Sequence, residues 1–348
     1  LKKVTELSVR LLDNVIDLSD FPVEKVNSTF RNNRRIGLGI MGFADLLYQL
    51  RIPYNSQEGF DTARKIMKTI NETADQYSTK LGAEKGKFPN WELSIFNAEG
   101  QNTTRRNSAL TTVAPTGSIS MLLDCSSGVE PFFALAYYKE VMSGQKLIYV
   151  NSFLENELKR LNLYKDEIIE EIQRTGTLQH INEIPEETRR VYVTAMDISA
   201  EDHISMQAAF QEHVDNSISK TINFPNSASR EDVKQGYIMA WGAGLKGCTV
   251  YRDGSRQEQV LNLNSKETKD GKDKKSEMKT AAKLQQNFEE ITPPPVIEEA
   301  QKEAVPVAVS YNKKEIIKNK KCPECSCDVQ IGEGCMLCLS CGFSVCSV

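Results

Sequence analysis

The sequence predicts an α/β protein carrying a small cysteine-rich appendage, and three observations support that class. The stretch 218–252 reads strand, helix, strand: "ISKTINF", a "PNSAS" turn, "VKQGYIMAW", a "GAGLKG" break and "CTVYR". A β-α-β unit implies parallel strands with the helix packed over them. Further upstream, 110–113 reads as a short strand that feeds a Pro-Thr-Gly-Ser turn and a helical stretch over 118–124. Third, seven of the nine cysteines fall between Cys322 and Cys346, after a long polar stretch.

The elements follow in order. Val4, Leu7, Leu11, Val15 and Leu18 recur at spacings of three and four, which predicts an amphipathic helix over 2–19, ended by Phe21-Pro22. Ser56 can cap a second long helix with Phe60, Ala63, Met67, Ile70, Ala74, Tyr77 and Leu81 on one face, and Gly86 is its expected stop. "GLGIMG" fits G-x-G-x-x-G at Gly37, Gly39 and Gly42. A dinucleotide site needs a buried strand immediately before it, and "STFRNNRR" is none. Close packing where the "FADLLYQL" helix begins is the better reading of these glycines. In the β-α-β unit, Ser229 with Asp232 three residues on has capping-box spacing.

The turn after 113 holds Pro115, Thr116, Gly117, Ser118, Ile119 and Ser120. Free N–H groups at a helix start, a glycine that permits close approach, and hydroxyls on Thr116, Ser118 and Ser120 suit phosphate oxygens. There is no P-loop lysine, so phosphate binding here implies no ATPase apparatus. The same residues also read as an ordinary capped turn.

After Arg256 the chain is rich in Lys, Glu, Gln, Asn and Pro, without apolar periodicity. This predicts a disordered linker over 257–321, spanning about 45 Å as a coil. Beyond it, Cys322 and Cys325 form C-x2-C, and twelve residues later Cys338 and Cys341 form another, which is zinc-ribbon spacing. Cys327, Cys335 and Cys346 are left over, and Cys341 with Cys346 makes a terminal C-x4-C pair suited to thiol–disulfide exchange. Cys341 therefore has two competing roles. His180, His203 and His213 have no metal-ligand spacing and read as surface or ordinary helix residues.

Net charge is −4, which makes no electrostatic case for nucleic acid or an anionic membrane, and no apolar run approaches a bilayer span. With no export signal and so many crowded thiols, a cytoplasmic location is expected, with metal or redox use of the cysteines. A start at Leu1 leads us to expect a fragment or a split product.

"RRIGLGIMGFADLL", "APTGSIS…CSSGVEPFF", "SKTINFP" and "GLKGCTVYRDGSR" resemble the C-terminal part of the ribonucleotide reductase catalytic chain, over about residues 1–256 and the cysteine tail. The resemblance implies the C-terminal portion of a ten-stranded α/β barrel. It implies reduction of ribonucleotides by radical chemistry, with substrate phosphates on Pro115 to Ser120. It implies that Cys341 and Cys346 correspond to the pair that reduces the active-site disulfide, with a thioredoxin-like reductant as partner. Enzymes of the family that take their radical from a metal-oxo subunit carry adjacent tyrosines where this chain has Tyr251 alone, in "TVYRDGS". That favours the adenosylcobalamin-dependent branch. No glycyl-radical motif points to the anaerobic branch, and the N-P-C-G-E motif of the radical cysteine is absent too. Cys125, in "DCSSG", does not replace it. The chain is thus expected to be inactive alone and to need the upstream N-terminal part of the reductase. The sequence leaves open whether the substrate is a diphosphate or a triphosphate. A competing reading is a catalytically dead remnant whose zinc ribbon binds nucleic acid or protein. Against it, "DVQIGEGCMLCLS" has neither cations nor aromatics.

Overall fold

Extended segments lie side by side, parallel, in chain order. Ile36 and Leu38 donate N–H groups to Ala109 O (3.0 Å) and Leu110 O (2.8 Å), and a parallel bridge joins Leu38 to Thr111. A second bridge joins Val113 to Ile218, with Ser219 N–H donating to Val113 O at 2.8 Å. The close approach requires glycine at two points. A Cβ on Gly39 would lie 2.2 Å from Thr112 O, and one on Gly37 would lie 2.6 Å from Thr112 Cγ2. The G-x-G-x-x-G run therefore serves close packing, against backbone at Gly39 and against the Thr112 side chain at Gly37.

In this computed structural model the described residues are 1–98, 103–140, 146–255, 321–322, 325, 327–332, 335–338 and 344–346. All but the last residue of the expected linker lies outside them. The helices are α1 (Lys2–Leu18), α2 (Glu24–Asn33), α3 (Phe43–Leu50), α4 (Gln57–Lys85), α5 (Gly117–Leu122), α6 (Ser152–Arg160), α7 (Asp166–Thr175), α8 (Glu186–Val191), α9 (Ala200–Gln211) and α10 (Arg230–Gly242). An antiparallel hairpin, β1 (Ala136–Glu140) with β2 (Lys146–Val150), follows α5. The expected β-α-β unit is present: β3 (Thr221–Phe224) pairs parallel with β4 (Thr249–Arg252), with Thr221 opposite Thr249, and α10 lies between them in the chain. Ser229 and Asp232 form the capping box of α10.

Ser56 caps α4 by accepting from Gly59 N–H, and Gly86 ends it at φ 87°. Ala63, Met67 and Ile70 of α4 pack with Phe43, Leu47, Phe210 and Val113 into the main core. A second core joins Tyr48 to α6, α7 and Leu135. Helix α1 departs from expectation. Its apolar stripe of Val4, Leu7, Leu11, Val15 and Leu18 is exposed, while Thr5, Val9, Asp13 and Ile16 face inward.

The chain divides into two compact units, Leu1–Asp270 and Gly271–Val348. In the second unit β5 (Val329–Gly332), β6 (Cys335–Cys338) and β7 (Ser344–Cys346) form an antiparallel sheet in that order.

Candidate active site

The bridge at Val113 delivers the chain into the turn expected to hold phosphate. Thr116 sits in the left-handed region at φ 51°, and Gly117 opens α5 with no atom within 4 Å of where its Cβ would stand. The first helical bond is Ser120 N–H to Thr116 O at 2.9 Å. The N–H groups of Gly117, Ser118 and Ile119 thus precede the helical ladder. Pro115, Ser118 and Ile119 are exposed, and Ser120 is buried.

The hydroxyls are not equivalent. Thr116 Oγ1 accepts from Gly128 N–H at 2.8 Å, and Ser120 Oγ lies 2.8 Å from Ser127 Oγ. These two contacts bind the turn to the 126–130 segment, while Ser118 is exposed. The 126–130 segment is fixed in turn from behind. Ser126 N–H donates to Asp45 Oδ2 at 2.7 Å, and Gly42 N–H donates to Ser126 O at 2.8 Å.

A cavity of about 460 Å³ opens beside the turn, with Gly117, Ser120, Glu130, Tyr137, Tyr149 and Asn223 among the residues lining it. The paired rings of Tyr137 and Tyr149, centroids 4.8 Å apart, form its hairpin wall. Tyr149 donates to Asp124 Oδ1 at 2.8 Å, and burial with that carboxylate pushes its phenol pKa up. Cys125 also lines the cavity. Burial pushes its thiol pKa up, so it is held as the neutral thiol and not as an activated nucleophile.

Sequence reasoning missed the wall beneath. Glu130 accepts from Thr221 N–H and, at 3.0 Å, from Lys220 Nζ. Lys220 is buried, 2.8 Å from His203 Nδ1 and 3.2 Å from Thr221 O. Nε2 of His203 lies 2.9 Å from Ala195 O. A carbonyl can only accept, so Nε2 carries the ring proton and Nδ1 accepts from Lys220. Burial, with the Lys220 cation second, pulls the imidazole pKa down to about 3, so the ring is neutral. Burial pulls Lys220 below the ordinary amine range and Glu130 opposes it. Three acceptors around Nζ match the three protons of an ammonium, so we read Lys220 as charged. His203 is therefore a buried partner of a cation, not an ordinary helix residue. Its signal was a lysine inside the strand-like "ISKTINF".

Tyr251 lies on β4 in register with Asn223. In the tail, Cys322 N–H donates to Cys327 O at 2.8 Å, closing a turn that contains Cys325. An ion pair of Lys321 with Asp328, at 2.9 Å, ties its ends. Cys338 ends β6, and Cys335 stands opposite Cys346 across β6 and β7. Cys341 lies outside the described residues. Among the described residues, no three His, Cys, Asp or Glu side chains converge as a metal site, and no helix is long and apolar enough to cross a membrane.

Parallel strands that run into a hydroxyl-bearing turn beside a cavity define an α/β protein with a cavity at a strand end, where such folds commonly bind ligands. The family is specific: the chain belongs to the ribonucleotide reductases, since the family profile described as ribonucleotide reductase, barrel domain, matches residues 1–251. Over 79% of its length it is 43% identical to a vitamin B12-dependent ribonucleoside-diphosphate reductase of Thermoplasma acidophilum, covering 35% of that protein. A protein of the same description from Mycobacterium tuberculosis strain H37Rv is 41% identical over 75% of this chain, which covers 36% of it. Among solved structures, the Actinobacillus ureae class Id ribonucleotide reductase alpha subunit matches with a TM-score of 0.63 at 27% identity, over 72% of this chain and 46% of that one. The chain spans about a third of the length of these curated relatives.

Proposed function

We propose that this chain supplies part of the barrel, the substrate-phosphate turn and a reducing tail to an adenosylcobalamin-dependent ribonucleotide reductase acting on nucleoside diphosphates. The main support is the cavity of about 460 Å³ that opens directly on Gly117 and Ser120. The cobalamin dependence and the diphosphate follow the relatives' descriptions, and the barrel role follows the family. The cofactor supplies the initiating radical when bound. We assign it to no residue of this chain, because none of the described site residues forms an evident place for a corrin. What this chain's residues do is bind and orient. The free N–H groups of Gly117, Ser118 and Ile119 and the Ser118 hydroxyl take phosphate oxygens, Pro115 sets the turn, and Thr116 and Ser120 brace it. A Ser118→Ala variant, assayed in the enzyme assembled with an upstream portion, should bind nucleoside diphosphate about tenfold more weakly through loss of one donor to a charged group. Unchanged affinity removes the turn from the site.

The tail reading is that Cys322, Cys325 and Cys338 hold zinc and that Cys346 exchanges thiol for disulfide, with a thioredoxin-like protein as reductant. A four-thiolate set matches zinc chemistry, and the closed turn around Cys325 is a plausible half of it. Cys341 completes the zinc set or pairs with Cys346. The strand register adds Cys335 as a second candidate partner, because directly opposed residues on antiparallel strands stand within disulfide range. Substituting Cys335→Ser and Cys341→Ser separately, with zinc content and thioredoxin-driven turnover measured, separates the roles. The zinc ligand variant loses metal; the exchange partner variant keeps zinc and recovers turnover with a small dithiol. Full thioredoxin-driven turnover in Cys346→Ser removes the tail from the redox cycle.

A further inference from the structure

The cavity poses an electrostatic problem for an anionic ligand. Asp45, Asp124 and Glu130 line it, and no Lys or Arg is among its described lining residues. An opposing charge stands one layer back, on Lys220, which is wholly buried and touches the cavity wall at Glu130 and at Thr221 O. Nothing in the chemistry of the turn itself calls for this lysine.

The contacts run in series. His203, anchored on Ala195 O, gives Lys220 an acceptor at 2.8 Å beside the carboxylate contact. Lys220 holds Glu130 Oε2 at 3.0 Å, while Thr221 N–H holds Oε1. Just before Glu130, Val129 O accepts from Tyr54, and Gly128 N–H donates to Thr116 Oγ1 at 2.8 Å. Both carboxylate oxygens are thus tied to β3 and its approach, and the segment they tie down grips Thr116 of the turn. A buried cation with fixed partners keeps its field, because no water or mobile side chain reorganises around it.

Resting on the functional reading above, we propose that Lys220 and Glu130 are positioning residues for the substrate's phosphates. Lys220 cancels the Glu130 charge facing the ligand, and through Glu130 and Gly128 it holds Thr116 and the turn against β3. His203 keeps the lysine aimed by accepting from it as a neutral ring. Neither residue touches the reacting atoms.

The test uses the reductase assembled from this chain and an upstream portion, with two ligands: a nucleoside diphosphate and the corresponding nucleoside without phosphate. In Lys220→Met, diphosphate affinity should fall on the order of tenfold or more, as expected for an unscreened carboxylate near the anion. Nucleoside affinity should be unchanged, and KM should rise more than kcat falls. The double variant Lys220→Met with Glu130→Gln removes the stranded charge and should regain part of the lost diphosphate affinity. A purely structural role moves both ligands together and gives no recovery. Unchanged diphosphate affinity in a folded Lys220→Met protein overturns the proposal. Should that variant not fold, Glu130→Gln, which keeps the hydrogen-bonding shape, carries the decision by the same comparison of ligands. Wild-type protein that binds neither ligand refutes the functional reading itself, a distinct outcome.

Discussion

Helices α1 and α4 lie against each other and have the same apolar rhythm in sequence, yet they use it in opposite ways. Helix α4 buries Ala63, Met67, Ile70, Ala74 and Leu81. Helix α1 turns Leu7, Leu11 and Leu18 to the outside and sets Thr5, Val9, Asp13 and Ile16 inward. The cause is Asp13, which is wholly buried. Its Oδ1 accepts from Arg34 Nη2 at 2.7 Å and from Asn107 Nδ2 at 3.0 Å, and Lys85 and Arg106 lie 3.5 and 3.4 Å from Oδ2. A carboxylate taken out of water must keep such partners, and they are found at only one rotation of the helix. Periodicity establishes that a helix forms. The buried charge decides which way it turns.

The largest effect should come from breaking that charge. Asp13→Ala leaves Arg34 and Arg106 without their buried anion and should cost about 3–5 kcal/mol, read from the denaturant midpoint. A loss below about 1 kcal/mol would mean that the apolar contacts of Val9 and Ile16 set the rotation instead. Next, Met67→Ala on the buried face of α4 should cost about 2–5 kcal/mol by opening a cavity in the main core. The same measurement reads it, and a neutral result there would put α4 on the same footing as the outer face of α1.

A smaller effect sharpens the contrast between two buried charge networks. Asp13 is held by cations, whereas His203 is buried neutral beside one. Its pKa in the folded chain is about 3, lowered first by burial and then by Lys220, against an ordinary value of 6.5. The folded value is the depressed one, so the unfolded chain takes up the proton first. The stabilisation is therefore full above about pH 6.5 and is lost as pH falls towards 3. Between about pH 6.5 and 5.5, above the carboxylate range, wild type should lose about 1 kcal/mol that His203→Gln does not. Parallel stability curves for the two proteins over that interval would show that the ring takes up its proton as readily in the fold as in the unfolded chain.

Much of this architecture was legible in the residues. The β-α-β unit, the Ser229 capping box, the Ser56 cap and the strand-to-turn passage at Val113 are local, and local patterns survive into three dimensions. The turn around Thr116 stood out as a candidate site because glycine and hydroxyl residues cluster in sequence. The wall beneath it did not. Glu130 and Lys220 are 90 residues apart, and no spacing rule joins them. The bracing of the hydroxyls was hidden for a related reason: the contacts of Thr116 and Ser120 are with Gly128 and Ser127, which reach the turn only once the chain has folded back. In the tail, C-x2-C spacing was visible, but the pairing of Cys335 with Cys346 is a matter of strand register.

The smallest effect tests the comparison most directly. Leu7 and Leu11 are 58% and 64% exposed, although they belong to the most regular apolar repeat near the start of the chain. If rotation is set by Asp13, these side chains contribute little beyond helix propensity, and propensity differs little between leucine and serine in a long helix. Leu7→Ser and Leu11→Ser should each change the unfolding free energy of this chain by less than about 0.5 kcal/mol, the range of ordinary surface positions. The neighbouring Val9→Ala, buried in the same helix, provides the internal standard and should cost about 1–3 kcal/mol. Equal losses at Leu11 and Val9 would show that both faces of α1 are covered, and the rotation argument would fail with them. Near-silence at Leu11 beside a clear loss at Val9 leaves an apolar helix face that folding of this chain does not require.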